Sequence, residues 1–209
     1  MALDRDGTSE RVLEIAETLV SQGGAPNLKA RSIAEKAGIA VGSVYNLFGD
    51  LDRLHGQVNM RLLDRLSDAG TRAMAEMQEK GVRDTRLRSL ALARAYLQFV
   101  QEQPQSWAAL LAFNPRRAGP AAAVAFERRL DALFDIIAEV LAQDAKLDLD
   151  GQQAKLTARV LWSSVHGIVV NGVRRRQQDR HGQGVWDQID LLVTTFLRGV
   201  EHRAAASHH

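Results

Sequence analysis

The chain has 209 residues, 45% of them apolar, a net charge of +2 and no cysteine. That composition supports a folded protein with a sizeable core, and it excludes a disulfide framework and any cysteine-ligated metal. The weak charge does not by itself announce a nucleic-acid partner, and the first fifty residues carry five basic against seven acidic side chains, whereas a DNA-contact face concentrates lysine and arginine.

The start Met1-Ala-Leu-Asp-Arg-Asp lacks the apolar run of a secretory signal. The densest apolar window, Val160 to Val173, is interrupted by Ser163, Ser164, His166 and Asn171, short of the roughly 18 unbroken apolar residues of a membrane span. The expected location is the cytoplasm, with no membrane partner.

Nearly every periodic segment has helical spacing and no strand pattern stands out, so the expected fold class is all-α. A first helix is expected over 9–22, with Thr8 or Ser9 as N-cap, Val12, Ala16, Leu19 and Val20 buried, and Gly23-Gly24 as its end. Two short helices follow, over 30–37 up to Gly38 and over 41–47 up to Gly49. A long one over 51–78 aligns Leu54, Val58, Leu62, Leu66, Ala69, Ala73 and Met77.

The pattern resumes over 85–103 (Leu87, Leu90, Ala91, Arg94, Leu97) and halts at Pro104. A shorter helix is expected over 105–113, then the loop Asn114-Pro-Arg-Arg-Ala-Gly-Pro120. Helices over 121–143, 151–177 and 185–202 complete the chain, the last two separated by 179–184.

The stretch Ile33-Ala-Glu-Lys-Ala-Gly-Ile-Ala-Val-Gly-Ser-Val-Tyr-Asn-Leu-Phe48 stops a helix after about two turns and starts another at once. Such short helices nucleate poorly alone, and a pair on a tight glycine turn holds the second at a fixed angle, as in a helix-turn-helix. Ile33, Ala34, Ala37, Ile39, Val44, Leu47 and Phe48 supply a small core, leaving Gly42, Ser43, Tyr45 and Asn46 to face outward. A helix presenting its N-terminal residues and free N–H groups suits the major groove and phosphate. Val41 suits either a thymine methyl or the core.

The residues Arg31-x-Ile33-Ala34-x-x-Ala37-Gly38-Ile39-Ala40-x-Gly42-Ser43-Val44-Tyr45-x-x-Phe48-x-x-x-x-x-Leu54 resemble the DNA-binding signature of the TetR family of transcriptional regulators. Farther on, Trp162-Ser-Ser-Val-His166-Gly167 resembles a Trp-x-x-x-His-Gly signature of one branch of that family. The resemblance implies a helix-turn-helix domain over 1–50, a helical ligand-binding and dimerisation domain over 51–203, and a disordered tail over 204–209. It further implies a homodimer that binds a double-stranded DNA operator and is released by a small-molecule effector. Lys29, Arg31, Val41, Gly42, Ser43, Tyr45 and Asn46 would contact DNA, with Tyr45 on phosphate. Ala40, Leu47 and Leu51 depart from the pattern, standing where a hydroxyl residue, a histidine or aromatic, and a phosphate-reaching lysine are common.

The effector pocket is expected among Met74, Tyr96, Phe99, Trp107, Phe113, Phe134, Trp162 and His166, whose apolar and aromatic character favours a hydrophobic or aromatic molecule. His166 by itself reads first as a hydrogen-bonded core residue sharing a face with Trp162, and second as a ligand contact. Arg174-Arg-Arg176 reads as a solvated helix end. The segment Leu156 to Val173 is apolar almost all round, so a second copy is expected against this helix and the last one through Val165, Val169, Trp186, Ile189, Val193 and Phe196, with Gly167 and Gly172 permitting close approach.

No nucleophile elbow, phosphate loop, dinucleotide fingerprint or metal-ligand spacing is present, so neither catalysis, a metal nor a cofactor is expected. The expected function is a ligand-responsive regulator acting as a repressor on a palindromic operator. The alternative is a helical ligand- or partner-binding protein with weak or lost operator binding.

Overall fold

The computed structural model describes residues 5–174 and 183–206, apart from the side chains of 173, 174 and 183. Among these residues the order is α1 (Arg5–Gly23), a 3-10 turn (Ala25–Asn27), α2 (Ala30–Ala37), α3 (Val41–Phe48), α4 (Leu51–Glu79), α5 (Thr85–Glu102), α6 (Pro104–Ala112), a second 3-10 turn (Pro115–Ala118), α7 (Pro120–Ala142), α8 (Gly151–Arg174) and α9 (Gln183–Ala206). No strand occurs among them, and the fold is all-α.

The helix boundaries have local causes. The α2 helix ends in a Schellman motif: Gly38 takes the left-handed conformation at φ 68°, and the Ile39 N–H donates to the Ala34 carbonyl at 3.0 Å. The Asp50 carboxylate caps α4 by accepting from the Arg53 N–H at 2.7 Å. At the start of α8, Asp150 and Gln153 exchange reciprocal bonds of 2.8 and 3.0 Å, a capping box.

Several expectations shift. The α1 helix begins at Arg5, so Thr8 and Ser9 lie inside it rather than at its cap. The loop over 114–120 contains a 3-10 turn, with the Asn114 side chain accepting from the Arg116 N–H at 3.1 Å. Residues 204–206, assigned to the tail, continue α9, as alanine's helix preference allows. The loop over 179–184 falls largely outside the described residues. The buried face of α5 holds Leu90, Ala93, Tyr96, Leu97, Phe99 and Val100, while Leu87 and Arg94 are exposed.

The chain forms two compact units. One comprises the chain up to Leu66 together with Val100–Leu130, and the other Ser67–Phe99 together with the chain from Asp131 onward. In the first, α1, α2 and α3 pack on one another and α6 packs on α1. Its core gathers Val12, Ala16, Val20, Ile33, Val44, Phe48, Leu54 and Val58, so the start of α4 is buried with the three head helices. In the second, α8 packs against α9. Helices α4, α5 and α7 are each divided between the two units.

Two substitutions test this packing. Leu54→Ala removes a fully buried side chain, and its expected cost is about 2–5 kcal/mol from the denaturant midpoint. Gly38→Ala meets no atom within 4 Å, so only the left-handed backbone is penalised, at about 1–2 kcal/mol. A larger loss at Gly38 would mean that packing, not conformation, selects the glycine.

Candidate nucleic-acid interface and aromatic cluster

The α3 helix presents one apolar face and one open face. Val44 and Phe48 are buried, while Val41 (41% exposed), Gly42, Tyr45 (44% exposed) and Asn46 lie at the surface and Ser43 is half-buried. Exposure places Val41 on the open face rather than in the core. Ala40 at the N-cap offers no side-chain hydrogen bond, and its carbonyl accepts from the Ser43 N–H at 2.9 Å, so the N–H groups of Val41 and Gly42 are the ones left to solvent or a ligand. All seven residues expected at a DNA face, including Lys29 and Arg31, are therefore accessible to some degree.

The charge balance of this region changes once the pairing is known. Glu10 pairs with Arg61, and Glu17 pairs with Arg61 at 3.4 Å and Arg65 at 2.9 Å, both arginines coming from α4. Asp50 is engaged by Arg53 at 3.6 Å. Lys29, Arg31 and Lys36 make no ion pair among the described residues. Three of the seven acids are thus partly neutralised, while these cations stay open. Counting the first fifty residues missed Arg61 and Arg65, which lie on the next helix.

In the second unit, four of the expected effector residues come together. The Tyr96 hydroxyl and His166 Nδ1 are 2.7 Å apart. Trp162 lies with its ring centroid 4.7 Å from Tyr96 and 6.1 Å from His166, stacked at 15° on the latter. Phe134 meets Trp162 edge-on at 6.0 Å. Burial pushes the His166 imidazole below its ordinary pKa and favours the neutral ring. Phe99 is buried and Met74 half-buried in the same unit. Trp107 and Phe113 belong to the first unit, where Phe113 packs against His55 and Phe126 at 5.1 and 5.5 Å.

The residues expected at a second copy need correction. Val165, Val169, Ile189 and Val193 are buried within one chain, because α8 and α9 pack on each other. The Arg94 guanidinium covers the Trp186 ring at 3.5 Å, and Phe196 is half-buried. Gly172 permits close approach, but to Val185 of the same chain; a Cβ on Gly167 would have nothing within 4 Å. The large apolar side chains left exposed on these helices are Leu156 (65%), Val160 and Leu191 (69%). Among the described residues no group of side chains could hold a metal ion, and no helix is long and apolar enough to cross a membrane.

The comparisons agree with this architecture. Residues 89–193 match the family model for the tetracyclin repressor-like C-terminal domain. A protein with unknown function from Rhodococcus sp. RHA1 is 24% identical, with 92% of this chain and 94% of that one covered and a TM-score of 0.70. A putative TetR-family transcriptional regulator from Mesorhizobium loti is 17% identical, with 93% and 97% covered and a TM-score of 0.70. The regulator FadR from Bacillus subtilis, solved with stearoyl-CoA, is 13% identical, with 91% and 96% covered and a TM-score of 0.62. At these identities the solved structures establish the fold alone. No curated protein matches the chain.

Among the described residues, the half-buried His55 and His166 should make stability depend on pH. Burial lowers the pKa of each below the ordinary 6.5, with Asp52 opposing the shift at His55. The unfolded chain therefore takes up protons first as pH falls below 6.5, and stability falls with it. The denaturant midpoint should drop from about pH 7.5 to about pH 5.5, and His55→Phe with His166→Gln should flatten that slope. An unchanged slope in the double variant would assign the loss to other groups.

Proposed function

The chain belongs to the TetR family of transcriptional regulators, and from that premise we propose that it is a repressor released from a palindromic operator by a small hydrophobic or aromatic effector. The observation that carries the DNA half is the open face of α3, with Val41, Gly42, Ser43, Tyr45 and Asn46 accessible, together with exposed Lys29 and Arg31, which make no ion pair among the described residues. Members of this family act by binding DNA rather than by catalysis. In the proposed docking, α3 enters the major groove, Tyr45 and the Val41 and Gly42 N–H groups take phosphate, and Ser43 and Asn46 reach base edges.

A palindromic operator requires two copies. The proposed dimer uses α8 and α9, with exposed Leu156, Val160 and Leu191 as its apolar contacts in place of the buried residues. Control would pass along α4, a 29-residue helix whose start shares the head core and whose end belongs to the second unit. An effector held by the aromatic cluster would favour one setting of α4, and the coupling must be reciprocal: operator DNA weakens effector binding by the same factor.

Selection against random duplexes should return a two-fold symmetric site. Tyr45→Ala should weaken binding to all sequences alike, whereas Asn46→Ala should alter base preference by about 1–3 kcal/mol at one position. With few cations near α3, the decline of affinity with salt should be shallow for a DNA binder. Failure to enrich any symmetric site would favour a helical ligand- or partner-binding protein with weak or lost operator binding. Dimerisation is checked separately: Leu156→Glu with Leu191→Glu should yield monomers in equilibrium sedimentation, and an unchanged dimer would exclude this face.

A further inference from the structure

The turn from α4 to α5 is closed by its own backbone. Gly81 takes the left-handed conformation at φ 68°, its N–H donates to the Gln78 carbonyl at 3.0 Å, and the Val82 N–H donates to the Met77 carbonyl at 2.9 Å. These carbonyls at the end of α4 therefore need no side chain to satisfy them. Beside the turn lies a notch of about 310 Å³, lined by Gln78, Gly81, Val82, Arg83, Arg88 and Gln143, all within the second unit.

The lining is rich in donors and holds no carboxylate. Arg88 Nη1 donates to Gln143 Oε1 at 2.7 Å, which ties the guanidinium of α5 to the end of α7. That bond leaves four further N–H donors on Arg88 and the amide N–H groups of Gln143 for another acceptor. Arg83 and Arg88 make no ion pair among the described residues. The acids nearest in sequence are occupied elsewhere: the Asp84 carboxylate accepts from the Leu87 N–H at 2.8 Å as the cap of α5, and Glu76 pairs with Lys80 at 3.7 Å.

Two guanidinium groups and two carboxamides around one notch call for an acceptor that carries negative charge. A carboxylate supplies two oxygens and a single charge. A phosphate group supplies three terminal oxygens and close to two charges, which balances both arginines and suits their planar forks. Helix C-termini also favour nearby cations, and α4 and α7 both end here. That role would hold the arginines in place with nothing bound, so a test must separate the two.

We propose that Arg83 and Arg88, with Gln78 and Gln143, form a binding site for a phosphate group at the α4–α5 turn. The site draws on neither the DNA-binding nor the effector reading, and it lies apart in sequence from Tyr96, Phe134, Trp162 and His166.

The test uses the full-length protein without DNA, titrated at constant ionic strength and about pH 8, where phosphate is a dianion. Inorganic phosphate should shift the Arg88 Nε–H and Gln143 side-chain amide signals saturably in the millimolar range, with acetate at least about tenfold weaker and chloride without saturation. Arg83→Gln and Arg88→Gln should each weaken phosphate about tenfold or more, and Arg83→Lys, which keeps the charge and loses the fork, should fall between. Methyl phosphate separates the sources: binding as tight as inorganic phosphate supports a site for the phosphate group of a larger molecule, and exclusion of the ester supports one for the free ion. Saturation by chloride, equal shifts at arginines outside the notch, or undiminished phosphate binding in the two glutamine variants would overturn the proposal. A lower melting temperature for Arg88→Gln with no phosphate shift in the parent would overturn it too, leaving the arginines as neutralisers of the helix ends.

Discussion

Leu54 and Val58 of α4 are buried in the same core as Val44 and Phe48 of α3, and this shared burial is the constraint on which the rest of the head depends. A helix of eight residues has too few internal bonds to hold its own direction. Its orientation comes from the side chains beneath it. Because close-packed interiors move between discrete arrangements rather than deforming smoothly, α3 cannot be re-aimed while the start of α4 keeps its place. The direction of α3 and the placement of the first turns of α4 are therefore set together.

The ion pairs on α4 have a different role. Arg61 and Arg65 reach Glu10 and Glu17 of α1, Arg129 of α7 reaches Asp64 at 2.8 Å, and Arg117 reaches Asp52. Exposed pairs of this kind contribute about 0–1 kcal/mol each, far less than the apolar stripe between them. Their geometry matters more than their energy. They flank α4 with partners from α1, α7 and the turn before α7, and so resist rotation of the helix about its axis. Glu17 is the least exposed of these acids and is shared by two arginines.

The fold was legible where a single residue type has a single physical consequence. Gly38 marked the end of α2 to the residue, and the stripe Leu54–Val58–Leu62–Leu66 located the buried side of α4. Legibility ended where the same pattern serves two environments. A helix apolar on several sides looks alike whether its second face meets a neighbour or another copy, so Val165 and Ile189 were read as intermolecular when α8 and α9 bury them. The apolar spacing on α5 pointed to Leu87, while the broad buried face included Ser89 and Tyr96 as well. His55 Nε2 and the Asn59 carboxamide, buried on α4 without hydrogen-bond partners, escaped notice because polar residues within an apolar stripe carry no sign of whether the fold supplies partners. Only three-dimensional placement shows that it does not.

The three tryptophans lie in three dissimilar settings. Trp107 is buried in the first unit, Trp162 lies stacked on the His166 imidazole, and Trp186 lies beneath the Arg94 guanidinium. Indole emission responds to the polarity around the ring and to nearby groups that accept its excitation. Each unit thus carries an optical probe of its own, and Trp107 is the sole indole in the first. With Trp162 and Trp186 replaced by phenylalanine, the remaining emission would follow the head-bearing unit alone, so the native chain already contains the means to watch its two halves separately.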